Sequence, residues 1–128
     1  MKTLFKAIFI LFVLAIMTFC YNLGRHPVPD TPVARTKIQM AVIGKALETF
    51  YNDCGAYPDN LEQLITKPES CKNWGPTSYL NDITTDDWGQ EFIYKKTDAG
   101  DFDVISFGAD KVKGGTDINE DLFFPQRD

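Results

Sequence analysis

The chain predicts an α+β domain in which one long helix packs on a small antiparallel sheet, and three stretches of sequence predict it. In residues 40–58, MAVIGKALETFYNDCGAYP, the residues Met40, Ile43, Leu47, Phe50 and Cys54 recur at spacings of three and four, which draws one apolar stripe down a helix. Residues 91–97 (EFIYKKT) and 102–108 (FDVISFG) are rich in β-branched and aromatic side chains, and DAGD at 98–101 joins them as a hairpin turn containing Gly100. Between helix and hairpin, Trp74, Tyr79, Leu80, Ile83 and Trp88 punctuate an aperiodic stretch, as large apolar groups do when a loop is pinned to a surface.

Taken in order, the chain begins with residues 7–23, an uncharged and largely apolar run headed by Lys2 and Lys6. As a helix it reaches about 25 Å, the short end of a bilayer span. Met17, Thr18, Phe19, Cys20 and Tyr21 supply no small-residue pair for a signal-peptide cut, so an uncleaved anchor is favoured over a cleaved signal, and bulky Phe19 argues against a lipid on Cys20. The two lysines keep the N-terminus cytoplasmic and export the remainder. Pro27, Pro29 and Pro32 then forbid helix and favour a stiff, extended linker. The expected division is residues 1–24 as anchor or signal segment, 25–35 as linker and 36–128 as exported domain. The expected location is a single pass through a bacterial inner membrane, with the C-terminal domain in the periplasm.

Thr36 is the expected N-cap of the main helix, which runs from about Lys37 to Asp53 before Gly55 supplies a left-handed stop and Pro58 holds Tyr57 extended. Asp59 or Asn60 caps a short second helix, LEQLITK, with Leu61, Leu64 and Ile65 inward and Pro68 at its end. Phe92 and Tyr94 on one strand, with Phe102, Val104 and Ser106 on the next, are placed to cover the helix stripe. Leu122, Phe123 and Phe124 are read as a short third strand before Pro125.

The net charge of −5 conceals an asymmetry, because residues 25–128 carry 11 bases against 18 acids. No clustered basic face exists to bind phosphate, which excludes nucleic acid as a partner. Catalysis is excluded on similar grounds. The one histidine, His26, sits in the linker, Ser78 and Ser106 have no base nearby, and no nucleophile elbow, zinc-helix motif or phosphate-cradling glycine loop is found. Asp82, Asp86, Asp87 and Glu91 are read as solvated caps and turns.

Two groups of residues carry chemistry of another kind. In an oxidising compartment Cys54 and Cys71 have one pairing open to them, the alternative being two buried free thiols. In residues 107–121, FGADKVKGGTDINED, the acids Asp110, Asp117, Glu120 and Asp121, with Asn119 and interspersed glycines, offer the hard oxygen ligands that calcium takes six to eight of. The loop does not have EF-hand spacing, and the competing reading is an acidic surface loop whose charges are answered by Lys111 and Lys113.

With these residues in view, the exported part resembles the periplasmic domain of the type II secretion system protein G, or major pseudopilin, family. Leu47, Tyr51, Asp53, Gly55, Tyr57 and Pro58 match its L-x-x-Y-x-x-D-x-G-x-Y-P. Leu61, Leu64, Lys67, Pro68, Asn73, Trp74, Tyr79 and Leu80 follow in order. Asp87, Trp88 and Gly89 stand at its D-P-W-G, then come Phe92 and Tyr94, and Phe102, Asp103, Ser106, Gly108, Ala109 and Asp110 stand at its F-D-x-x-S-x-G-A-D.

The resemblance implies a pilin-like head, one long helix on a three-stranded antiparallel sheet, with a calcium-binding loop. Carried over singly, Asp110 stands at the family's first aspartate ligand and Asp117 at its last. The Phe107 carbonyl stands at a backbone ligand, and Thr116 sits where a second acid is common. The family's prepilin-peptidase signal, with a glycine before the cut and a glutamate early in the apolar run, is not found in residues 7–23. The implied function is a membrane-anchored, pseudopilin-like structural component of a type II secretion system whose partners are other secretion-system or pseudopilin proteins. The alternative is a stand-alone exported, calcium-stabilised binding module with no secretion role.

Overall fold

The computed structural model describes residues 2–23, 30–82, 85–97 and 99–126. The element order is helix α1 (Lys2–Leu23), helix α2 (Pro32–Cys54), a 3-10 turn (Leu61–Leu64), strands β1 (Ile93–Lys96) and β2 (Phe102–Ser106), a second 3-10 turn (Asp117–Asn119) and strand β3 (Leu122–Phe124). The three strands form one antiparallel sheet in the order β1-β2-β3. Tyr94 faces Val104 across the first pairing, and Ile105 faces Phe123 across the second.

The stripe read from the sequence is the core. Met40, Ile43, Leu47 and Phe50 are at most 3% exposed and pack with Leu61, Leu64, Phe92, Phe102, Val104 and Leu122. Each such side chain contributes about 1.5–3 kcal/mol on leaving water, so this cluster drives the sheet onto α2. Trp74, Tyr79, Leu80 and Trp88 close over its flank, as expected of a pinned loop, while Ile83 lies outside the described residues. Gly44 lies against the sheet at Phe124. A Cβ there would lie 1.9 Å from the Phe124 ring, so the absent side chain is what lets β3 lie on the helix.

Where α2 begins differs from the expectation. It starts at Pro32, inside the proposed linker, with Thr31 as N-cap in an extended conformation (φ −113°, ψ 152°) and its side chain accepting from the Ala34 N–H. Proline is excluded from helix interiors but suits the first position, where its N–H would have no partner. Thr36 is therefore not a cap. It is fully buried one turn inside the helix, and its hydroxyl oxygen accepts the Asp87 N–H at 3.1 Å. The far end is as expected, with Gly55 at φ 79° and its N–H donating to the Tyr51 carbonyl at 2.8 Å.

The second helix is shorter than expected, a single 3-10 turn over Leu61–Leu64. Asn60, rather than Asp59, accepts the Gln63 N–H. Asp59 instead pairs with Lys96, and that partner holds its carboxyl below the usual carboxylate range. Pro27 and Pro29 lie outside the described residues, as does Asp98 of the hairpin turn. The chain is nonetheless not one unbroken rod, because Thr31 is extended immediately before α2. In α1, Phe9, Leu11, Phe12, Met17 and Phe19 are each more than 60% exposed. Among the described residues no helix is long and apolar enough to cross a membrane.

Candidate functional site

The loop between β2 and β3, residues 107–121, rests on a polar cradle that the sequence reading missed. Asp86, read there as a solvated turn residue, is 4% exposed. Its Oδ1 accepts the N–H groups of Trp88 (3.1 Å) and Gln90 (2.8 Å), and its Oδ2 accepts the Ser106 hydroxyl at 2.6 Å. A carboxylate out of water needs donors in this number, and the turn Asp86-Asp87-Trp88-Gly89 folds back to supply them. Ser106 Oγ in turn accepts the Gly108 N–H at 3.3 Å, and Gln90 Nε2 donates to the Gly108 carbonyl at 3.2 Å. The signal for this was present in the sequence only as turn chemistry, which does not by itself distinguish a buried aspartate from an exposed one.

From this base the loop makes a tight excursion and returns. The Ala109 N–H donates to the Ile118 carbonyl at 2.9 Å, pinching the loop at its base, with Asp110 and Asp117 the next residues inside the pinch. Backbone packs closely at the pinch. A Cβ on Gly108 would lie 2.9 Å from the Ile118 oxygen, and one on Gly115 would lie 2.4 Å from the Asn119 oxygen. Beyond the pinch the chain turns through Lys111 (φ 64°) and Gly114 and Gly115, then returns through Asp117 (φ 57°). Lys111 and Asp117 occupy the left-handed region at a cost that glycine does not incur.

Of the four residues expected to hold calcium, Phe107 is half-buried at the base, while Asp110, Thr116 and Asp117 are exposed. Asp110 Oδ1 accepts the Val112 N–H at 3.1 Å, and the Asp117 carboxylate has no hydrogen bond of its own among the described residues. Thr116 precedes the 3-10 turn without a side-chain capping bond. Lys111 and Lys113 do not answer these acids, since neither forms an ion pair among the described residues. Asp121 Oδ1 closes the loop from the other side by accepting the Gly114 N–H at 2.9 Å.

Asp110, Asp117 and the neighbouring main-chain carbonyls are hard oxygen groups of the kind that calcium takes. Among the described residues no three His, Cys, Asp or Glu side chains gather as a metal cluster, so the loop's carboxylates would need carbonyls and water to complete a calcium shell.

At the other end of the cradle, Arg35 in the first turn of α2 donates through Nε and Nη2 to the two oxygens of Asp87, at 2.8 and 2.7 Å, and its Nη1 reaches Asp30. The guanidinium holds the Asp87 carboxyl below its ordinary range, and the two carboxylates raise the already high pKa of Arg35. The entry to α2 is thereby tied to the same turn that carries Asp86. On the opposite flank, Cys54 and Cys71 are joined in a disulfide with Cα atoms 5.1 Å apart.

The family model described as "Type II secretion system (T2SS), protein G" matches residues 27–124 of this chain. A type II secretion system core protein G of Pseudomonas aeruginosa is 33% identical over 120 residues, covering 88% of this chain and 83% of the relative. One of Xanthomonas campestris pv. campestris is 33% identical over 89 residues, covering 67% of this chain and 61% of the relative. Among solved structures, the major pseudopilin from the type 2 secretion system of enterohaemorrhagic Escherichia coli is similar with a TM-score of 0.58 at 21% identity. That match covers 70% of this chain and 82% of that chain, a likeness of fold.

Proposed function

Because this chain belongs to the type II secretion system protein G family, we propose that it is a structural component of such a system, with a pilin-like head that docks on neighbouring pseudopilin or secretion-system proteins. The observation that carries this reading is the family match over residues 27–124, which takes in α2, the pinned loop, all three strands and the loop of residues 107–121. It weighs against a stand-alone binding module. The relatives this chain matches are core proteins of a secretion system, which fits recognition and assembly as the work of the head. Site-directed photocrosslinking from the exposed face of α2, at Ile38 and Val42, tests this in cells carrying the full system. Adducts with secretion-system proteins and loss of secretion on deletion are the expected results. No adducts in such cells, with secretion intact after deletion, would refute it.

The proposal extends to the membrane. Residues 7–23 lack charge, and the apolar side chains described in α1 are exposed around the helix, as suits a surrounding of lipid tails. The described side chains run from residue 8 to residue 19, about 18 Å of helix, against about 30 Å of hydrocarbon, and the flanking residues of the uncharged run supply further length. The head would then lie in the periplasm. Retention of the full chain in the membrane pellet after alkaline carbonate extraction is expected.

The loop of residues 107–121 is proposed to bind calcium through Asp110 and Asp117, with the Phe107 carbonyl and Thr116 as neighbouring oxygen donors. Two exposed aspartates next to the Ala109–Ile118 bond in the chain, neither in an ion pair among the described residues, support this. Calcium bound there supplies charge neutralisation and loop order rather than chemistry on a substrate.

A further inference from the structure

The hydrogen bonds beneath the loop have a directional consequence for one ligand. In the Phe107–Gly108 peptide, which is trans, the Phe107 carbonyl and the Gly108 N–H lie in one plane and point opposite ways, so holding the N–H aims the carbonyl. That N–H is held by Ser106 Oγ at 3.3 Å, and the Ser106 hydroxyl is itself oriented by donating to Asp86 Oδ2 at 2.6 Å. Both side chains are almost fully buried, at 4% exposure for Asp86 and 2% for Ser106, so water cannot substitute freely for either. Asp86 is fixed in its turn by the Trp88 and Gln90 N–H groups. The next peptide plane is held from the same turn, where Gln90 Nε2 donates to the Gly108 carbonyl at 3.2 Å. Gly108 permits the arrangement because its φ is 67° and a Cβ would collide with the returning strand of the loop.

We propose that Asp86 and Ser106 are positioning residues for the calcium loop, acting through the Gly108 N–H to aim the Phe107 carbonyl, with Gln90 holding the following plane. This rests on the calcium reading above. It gives a role to a carboxylate that is buried at 4% exposure and held by Trp88, Gln90 and Ser106. It also links the turn fastened to α2 by Arg35 and Thr36 with the loop at the far edge of the sheet. If Asp86 and Ser106 served only as core hydrogen bonds, removing them would lower stability without changing the affinity of the loop.

The test is calorimetric titration of the full chain in detergent with calcium alone, well below the melting temperature, alongside the melting temperature in chelator. Ser106→Ala is expected to raise the calcium Kd about five- to tenfold, the size of one lost hydrogen bond, and Ser106→Thr, which keeps the hydroxyl, to return it to within about twofold of wild type. Gln90→Ala, at a half-buried position, is expected to raise Kd by about threefold, because its bond holds the following peptide plane and not the Phe107 carbonyl itself. A wild-type Kd in both Ser106→Ala and Gln90→Ala, with only the chelated melting temperature lowered, would overturn the positioning role and leave calcium binding standing. No calcium binding by the wild-type chain would overturn the site and the positioning role together.

Discussion

Two irregular stretches of this head are held in opposite ways. Residues 65–80 have almost no regular structure, yet they are fastened by a covalent bond and by apolar contact. Cys71 is joined to Cys54, the Trp74 indole N–H donates to the Gln63 carbonyl at 3.0 Å, and Tyr79 stacks edge-on with both Phe50 and Trp74. Residues 109–119 have none of this. Val112 and Ile118, their large apolar side chains, are 63% and 58% exposed, and the turn stands on peptide hydrogen bonds and left-handed backbone. A loop that buries greasy side chains brings its own order, whereas a loop that exposes them while concentrating carboxylates needs order from elsewhere. On this account that source is a cation.

The contrast can be broken or sharpened by perturbing one loop at a time. Cys71→Ser removes a bridge spanning 17 residues and is expected to cost about 3 kcal/mol in denaturant unfolding, with faster amide exchange confined to residues 65–80. Equal loosening of residues 109–119 would mean that the loops are not independent. Asp110→Ala and Asp117→Ala should abolish the calcium-dependent rise in melting temperature, worth about 2.7 kcal/mol at a hundredfold excess over Kd, while leaving the melt in chelator nearly unchanged. Tyr79→Phe removes the hydroxyl that donates to Asp53 at 2.8 Å and accepts from the Gly75 N–H at 2.9 Å, for about 1–2 kcal/mol.

Lys111→Gly relieves a left-handed lysine and is expected to gain up to about 1 kcal/mol in chelator, visible as a higher denaturant midpoint. The smallest effect is on pH. The Asp87 carboxyl is depressed by Arg35, so this pair stabilises the fold above the unfolded carboxyl value of about 4 and loses its contribution as pH falls through the lower folded value. Wild type should therefore weaken more steeply in acid than Asp87→Asn, a difference that belongs to neither loop.

Much of the apolar architecture was legible in the sequence. A stripe at helical spacing and two runs of β-branched and aromatic residues need a common surface to bury them, and Met40, Ile43, Leu47, Phe50, Phe92, Phe102 and Val104 are buried together. The family resemblance was legible for the same reason. Polar roles were less so. Pro32 opens α2 because a proline is tolerated at one helical position only, and the sequence does not mark which proline will find it. Thr36 and Asp86 read as a cap and a solvated turn, yet both are buried, because partners 51 and 20 residues away satisfy them. Gly44 did carry a signal, since a glycine inside a helix of otherwise good formers usually marks a close contact, here with Phe124. In residues 107–121 the acids were visible, but how the loop arranges them depends on a pinch between Ala109 and Ile118 that no local pattern encodes.

Hydrogen exchange of the full chain in detergent, read peptide by peptide in calcium and in chelator, compares the two loops most directly. Amides in residues 109–119 are expected to become markedly slower to exchange when calcium is added, while those in residues 65–80 are equally protected in both conditions. Identical exchange of residues 109–119 with and without calcium would contradict it.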